Sequence, residues 1–129
     1  MIRLRESHIK AGLLVFGALT LTMLGAVFAP QAMVKATFGA DFNDPLALMI
    51  VRSWGALIGL VGAMVIYAAF HPDQRRVLVF VAMISKMMFI GLLFTVGTVY
   101  LAAASGAIIA DTAAVAFMAA CLVSARSKQ

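Results

Sequence analysis

Long apolar stretches divide the chain into four segments, separated by short groups of polar residues, prolines and glycines. A helix needs ~20 mainly apolar residues to cross the hydrocarbon core of a bilayer. The pattern predicts four transmembrane helices, at about 11–29, 45–70, 74–103 and 106–124. Short connections make consecutive helices antiparallel neighbours. The expected fold is therefore an all-α, up-down-up-down four-helix bundle that forms one domain over residues 1–129.

The first apolar stretch follows a short basic start and so resembles a secretory signal peptide. The run 11–29 is longer than the ~7–15 residues of a signal-peptide core, and Pro30 would crowd a cleavage site after Ala29. We interpret the run as a transmembrane helix that ends at Pro30. The stretch 30–45 is too polar to span, and we expect it to lie at the membrane interface.

Capping residues and prolines mark the other helix ends. Asp44 before Pro45 combines a favoured N-cap residue with proline at the first helical position. The sequence His71-Pro72-Asp73 ends the second helix, and Asp73 is expected to cap the third. The third segment is longer than a bilayer is thick, which predicts a tilt, a projecting end, or a bend near Gly91 or Gly97.

Composition excludes a soluble domain. Hydrophobic residues make up 64% of the chain and charged residues 12%, and the mean hydropathy is +1.07. An average globular chain is ~45–50% apolar and ~25% charged. So much apolar surface cannot be hidden behind so few charges, so the lipid bilayer is the expected solvent and partner.

The basic residues explain the net charge of +5 through membrane topology. Cytoplasmic loops of membrane proteins carry an excess of Lys and Arg. Only Lys35 falls on one side of the predicted bundle, whereas the other side carries Arg3, Arg5, Lys10, Arg75, Arg76, Arg126 and Lys128. This bias places both termini on the cytoplasmic side of a bacterial inner membrane. It also leaves no reason to expect a nucleic-acid partner.

Two basic residues, Arg52 and Lys86, fall inside predicted helices. A charge at the centre of a spanning helix costs ~2.5–3.5 kcal/mol on insertion scales, so it raises a functional hypothesis. Lys86 lies near the middle of the third helix among apolar neighbours. It either lines a polar cavity that binds an anionic group, or is a snorkelled lysine or half of an ion pair that orders the bundle.

Arg52 leads a helical stripe of small residues, Gly55, Gly59 and Gly62. Small residues at this spacing allow close helix–helix contact. We expect the stripe to face protein rather than lipid.

Asp111 has two interpretations. It either lies inside the fourth helix at the depth of Arg52, with which it then forms an ion pair, or it is the N-cap of a helix that begins at Thr112.

Other chemistry is weakly supported. Cys121 is the only cysteine, so the sequence contains no internal disulfide and no CxxC pair. His8 and His71 have no further His, Glu or Cys three or four residues later, so neither a metal site nor a cofactor is expected.

The first half of the chain resembles small four-helix bacterial membrane proteins of the DoxX-like kind. The resembling elements are Pro30 at the end of the first helix, Phe38-Gly39 in the following loop, and Arg52-Ser53-Trp54-Gly55 at the start of the second helix. The resemblance implies a four-helix membrane fold and says little about activity.

Three functions remain open. The first is a non-enzymatic accessory or assembly subunit of a membrane complex, or a homo-oligomer, that acts through helix–helix contacts with its partner. The second is a binding or transport bundle in which Arg52, Lys86 and Asp111 line a cavity for an anionic or amphipathic small molecule. The third is a lipid- or quinone-modifying enzyme that uses Lys86 and Asp111. The sequence favours a protein that is not an enzyme, because it contains no recognisable catalytic constellation.

Overall fold

The computed structural model describes residues 4–126, and side chains as far as Ser124. Over this range the regular secondary structure is helical: α1 is Glu6–Phe28, α2 is Pro30–Phe38, α3 is Pro45–Phe70, α4 is Arg75–Thr95 and α5 is Ser105–Arg126. The residues Thr22–Leu24 form a tighter 3-10 turn inside α1, and Thr98–Tyr100 form another after α4. Arg3, Lys128 and the side chain of Arg126, which entered the charge prediction, lie outside the described part.

Over the described residues, α1, α3, α4 and α5 are long and apolar enough to cross a membrane. They contain 23, 26, 21 and 22 residues respectively. This confirms the predicted all-α class and the prediction of four helices that are long and apolar enough to span a membrane.

The start of α3 is set by the predicted cap. The side chain of Asp44 accepts a hydrogen bond of 2.9 Å from the backbone N–H of Ala47, and Pro45 is the first helical residue. The prediction for α4 is wrong in one respect, since Asp73 lies in the turn and Gln74 is the N-cap residue, without a side-chain cap hydrogen bond. The two residues between Pro72 and α4 belong to that turn, so the helix begins at Arg75.

The polar stretch after α1 forms a helix of its own. Pro30 does interrupt the first helix, but it also starts α2, because proline is well tolerated at a first helical position. Gly39 ends α2 in the left-handed conformation, at φ +68°, and its N–H donates to the carbonyl of Lys35. The side-chain amide of Gln31 donates to the Asn43 side chain at 2.7 Å, which ties the following loop back to α2.

The third spanning helix ends at Thr95 rather than near residue 103. The backbone N–H groups of Val96 and Gly97 both donate to the carbonyl of Leu92, at 2.9 Å each, and this closes the helix. The chain then turns through Thr98–Tyr100 and begins α5 at Ser105. The predicted continuation to residue 103, with a tilt, a projecting end or a bend near Gly91 or Gly97, is therefore wrong, because the helix stops at Thr95.

The glycine stripe brings α1 and α3 into close contact. Gly55, Gly59 and Gly62 are buried. A Cβ atom added at Gly62 would lie 2.4 Å from the backbone nitrogen of Leu21 and 2.8 Å from the carbonyl oxygen of Gly17. One added at Gly55 would lie 2.4 Å from the Cβ of Ala26. The stripe therefore faces protein, as predicted, and the protein it faces is α1 of the same chain.

One buried arginine ties three helices together. The guanidinium of Arg75, at the start of α4, donates to both carboxylate oxygens of Glu6 in α1, each at 2.8 Å. It also donates to the carbonyls of Ala68 and Ala69 at the end of α3, each at 2.9 Å. The last carbonyls of a helix lack partners within the helix. Arg75 supplies those partners and joins the tight α3–α4 connection to the start of α1.

We expect Gly62→Ala to destabilise the protein by about 1–3 kcal/mol, because the added methyl group meets backbone atoms that cannot move aside. Gly91→Ala is the matched control, since a Cβ atom there would find nothing within 4 Å and alanine favours helix. Thermal unfolding of both variants in the same detergent tests this. Equal melting temperatures would contradict the close α1–α3 packing.

Candidate functional site

Lys86 and Asp111 form an ion pair between α4 and α5. The ammonium nitrogen Nζ of Lys86 donates to Oδ1 of Asp111 at 2.8 Å. The side chains are 9% and 22% exposed, respectively. Both lie within helices that are apolar enough to span a membrane, so the two charges neutralise each other where water is scarce.

The position of each partner follows from its helix. Lys86 lies in the middle of α4, and Asp111 lies in the second turn of α5, which begins at Ser105. Asp111 is therefore inside its helix and is not an N-cap. Its partner is Lys86 rather than Arg52.

Arg52 lies apart from this pair. Its guanidinium donates to the carbonyl of Val27, close to the end of α1, and the residue is exposed. Cations near the C-terminal end of a helix interact favourably with its unpaired carbonyls. Arg52 thus supports the end of α1, and of the three predicted site residues the structure brings together only Lys86 and Asp111.

The ion pair borders a cavity of about 500 Å³ to which α1, α3, α4 and α5 all contribute. Most of its wall is apolar, and the hydroxyl groups of Thr20, Thr37 and Ser85 are the polar additions to the pair. The apolar lining comes from Phe16, Leu19, Met23, Trp54, Leu57, Ile58, Val61, Met88, Phe89, Leu92, Ala107, Ala110 and Ala114. A cavity of ~300–1,000 Å³ with mainly apolar walls and a few polar groups is typical of small-molecule sites.

An aromatic cluster borders this cavity. The ring of Phe38, at the end of α2, lies 6.1 Å from the ring of Trp54, 6.3 Å from Phe89 and 5.8 Å from Tyr100, measured between centroids. Trp54 and Phe89 also line the cavity, as does Thr37 beside Phe38. The short helix α2 is therefore held against the cavity by aromatic contacts. Apart from the presence of the aromatic residues, nothing in the sequence predicts this cluster.

The hydrogen-bonding capacity of the pair is only partly used. A lysine ammonium has three donors and a carboxylate has two acceptor oxygens. Within residues 4–126, the side chains of Lys86 and Asp111 make one hydrogen bond, to each other. The hydroxyl of Thr20, which also lines the cavity, is occupied locally, because it donates to the carbonyl of Phe16 at 2.7 Å. The pair thus presents an available donor and an available acceptor side by side.

The described residues offer no alternative centre for metal chemistry. Over residues 4–126, no three His, Cys, Asp or Glu side chains are grouped so that they could hold a metal ion. Cys121 is buried against the core of α1, α3 and α4 rather than in the cavity.

We expect Lys86→Met and Asp111→Leu each to destabilise the protein by about 3–5 kcal/mol, because each leaves a buried charge without its partner. The double variant should be more stable than either single variant, since it removes both charges. The free energies of unfolding of the wild-type protein, the two single variants and the double variant, all measured in one detergent, give the coupling energy between Lys86 and Asp111.

Lys35 and Asp41 provide the control pair. Their charged atoms are 3.7 Å apart, and their side chains are 67% and 81% exposed. An exposed pair of this kind is worth ~0.2–1 kcal/mol. A coupling energy for Lys86 and Asp111 as small as that of the control pair would show that the ion pair does not form.

Comparison of the chain with family models, with curated proteins and with solved structures found no match. The resemblance to DoxX-like proteins therefore stays a prediction. The function is therefore inferred from the chain's own residues. The cavity is the main feature for that inference, because it combines an apolar wall with the charged groups of Lys86 and Asp111.

Proposed function

We propose that this protein binds an amphipathic small molecule inside its transmembrane bundle. The observation that carries the proposal is the contact of a mutually neutralising ion pair, of which Lys86 is buried and Asp111 partly buried, with a largely apolar cavity. A charge pair kept in a membrane-spanning region has a desolvation cost, so an apolar pair would be the simpler way to join α4 and α5. Because the pair lies on a cavity wall, its charged groups can bind the polar group of a ligand as well as join the two helices.

The cavity has a polar part and an apolar part, which match the polar group and the apolar chain or ring of an amphipathic molecule. Lys86 and Asp111 offer hydrogen bonds to a polar group. Leu57, Ile58 and Met88 provide apolar surface for a chain or a ring. Binding would remove that surface from contact with lipid or water and would fix the orientation of the polar group.

The glycine stripe bears on the hypothesis of an accessory subunit or homo-oligomer. That hypothesis drew on the lack of a recognisable catalytic constellation and on glycine- and alanine-rich faces suited to helix contacts. Gly55, Gly59 and Gly62 are instead occupied by α1. Association with a partner protein or a second copy stays a prediction, and no specific contact among the described residues favours it. A lipid- or quinone-modifying activity, which would use the same Lys86 and Asp111, also stays a prediction.

Trp54 provides a direct test of cavity binding, because it lines the cavity and is the only tryptophan in the chain. We expect ω-bromododecanol, whose bromine quenches indole fluorescence on contact, to quench Trp54 saturably in lipid nanodiscs. Ala110→Phe places a ring in the cavity and should abolish the saturable component.

Ala113→Phe is the matched control, since Ala113 is exposed on the same helix and does not line the cavity. In this variant the probe should quench the fluorescence of Trp54 as saturably as it does in the wild-type protein. Quenching that rises linearly with the probe, and that is the same in all three proteins, would refute the binding site.

We further propose an up-down-up-down topology with both termini on the cytoplasmic side of a bacterial inner membrane. The contact of Glu6 with Arg75 and the hydrogen bond from the Leu4 N–H to the Ser124 hydroxyl support a common end for these residues. The basic residues Arg5, Lys10, Arg75 and Arg76 belong to that end by their positions in sequence. The excess of basic residues there supports the cytoplasmic assignment.

Cysteine labelling tests this orientation. Lys35→Cys and Arg76→Cys, each made in a Cys121→Ala background, replace exposed residues at opposite ends. A membrane-impermeant maleimide should label the variant at position 35 in spheroplasts, and the variant at position 76 only in inverted vesicles. The reverse pattern would invert the proposed topology.

A further inference from the structure

We propose that the cavity recognises its ligand through a neutral hydroxyl group, so that the ligand is a lipid-soluble alcohol or phenol. This inference rests on the proposed binding function and names the chemical class of the molecule. It follows from the composition of the ion pair rather than from the size of the cavity.

The pair presents one donor and one acceptor next to each other. Nζ of Lys86 uses one N–H on Oδ1 of Asp111, at 2.8 Å, and has two more N–H groups. Asp111 has a second carboxylate oxygen, Oδ2, and its side chain is the more exposed of the two. Both residues line the cavity. A hydroxyl group there would accept a hydrogen bond from Lys86 and donate one to Asp111.

Other polar groups match this pair less well. A carboxylate would be attracted by Lys86 but repelled by Asp111, and an ammonium group would meet the opposite conflict. In a medium of low dielectric constant such repulsion is strong. An ether, ester or ketone accepts from Lys86 but has no proton to donate, so it leaves the Asp111 oxygen without a partner. A hydroxyl group satisfies both sides from a single oxygen atom and adds no net charge.

The neighbouring polar side chains do not change this selection. Thr20, Thr37 and Ser85 carry hydroxyl groups and no charge, and Thr20 already donates to the carbonyl of Phe16. Among the side chains that line the cavity, Lys86 and Asp111 are the ones that bear charge. The preference of the cavity for a neutral ligand group that both donates and accepts a hydrogen bond is therefore due to Lys86 and Asp111.

Three brominated probes of equal chain length test the inference on the wild-type protein. They are ω-bromododecanol, its methyl ether and ω-bromododecanoate, and quenching of Trp54 in nanodiscs of one lipid composition reports their binding. The ether keeps the acceptor and loses the donor, whereas the carboxylate adds a charge. A hydrogen bond to a charged group that is lost on one side corresponds to about a tenfold change in affinity. We expect the alcohol to bind about tenfold more tightly than either of the others.

The double variant Lys86→Met/Asp111→Leu is the control for the origin of the preference. It removes both charges and keeps the cavity apolar, so it should bind the alcohol and the ether equally. Lys35→Met/Asp41→Leu removes the exposed pair and should keep the tenfold preference.

Each outcome separates the two proposals. Preference for the alcohol in the wild-type protein, lost in the cavity double variant, supports the hydroxyl inference. Equal saturable binding of all three probes, abolished by Ala110→Phe, leaves the binding site in place and overturns the inference. No saturable binding of any probe overturns the proposed function together with the inference.

Discussion

A polar group inside a bilayer must find its partner within the protein, because the hydrocarbon core provides no water. This constraint organises the molecule. At one end of the bundle, Arg75 pairs with Glu6 and with two carbonyls at the end of α3. Arg52 donates to the Val27 carbonyl at the end of α1. Each of these side chains donates to backbone carbonyls near the end of another helix. Lys86 differs, because its partner is a carboxylate within another spanning helix and the pair that they form lines a cavity.

The cavity and the glycine contact are two results of one arrangement. Helices α1 and α3 approach until their backbones touch at Gly62, and α4 packs mainly along α5. The helices thus form two closely packed pairs, and the space between the pairs is filled less completely. Large side chains such as Trp54 and Phe89 border that space without filling it.

The sequence predicts the helices of this protein better than it predicts the contacts between them. The ends of α3 were predictable because Asp44-Pro45 and His71-Pro72 mark them chemically. The end of α4 was not, because Val96–Tyr100 stays apolar and only the hydrogen bonds to Leu92 show the break. Lys86 and Asp111 were each singled out, since charges in apolar runs are costly. Their pairing was missed because depth along a helix does not reveal which neighbour a side chain faces.

The ion pair also bears on how the chain enters the membrane. Lys86 is synthesised before Asp111, so α4 emerges from the ribosome with an unpaired charge in its centre. Insertion of such a helix by itself costs ~2.5–3.5 kcal/mol for that residue. The short segment between Thr95 and Ser105 lets α5 follow at once. Helices α4 and α5 are therefore best inserted together as a hairpin, with the carboxylate neutralising the ammonium during biogenesis as it does in the folded protein.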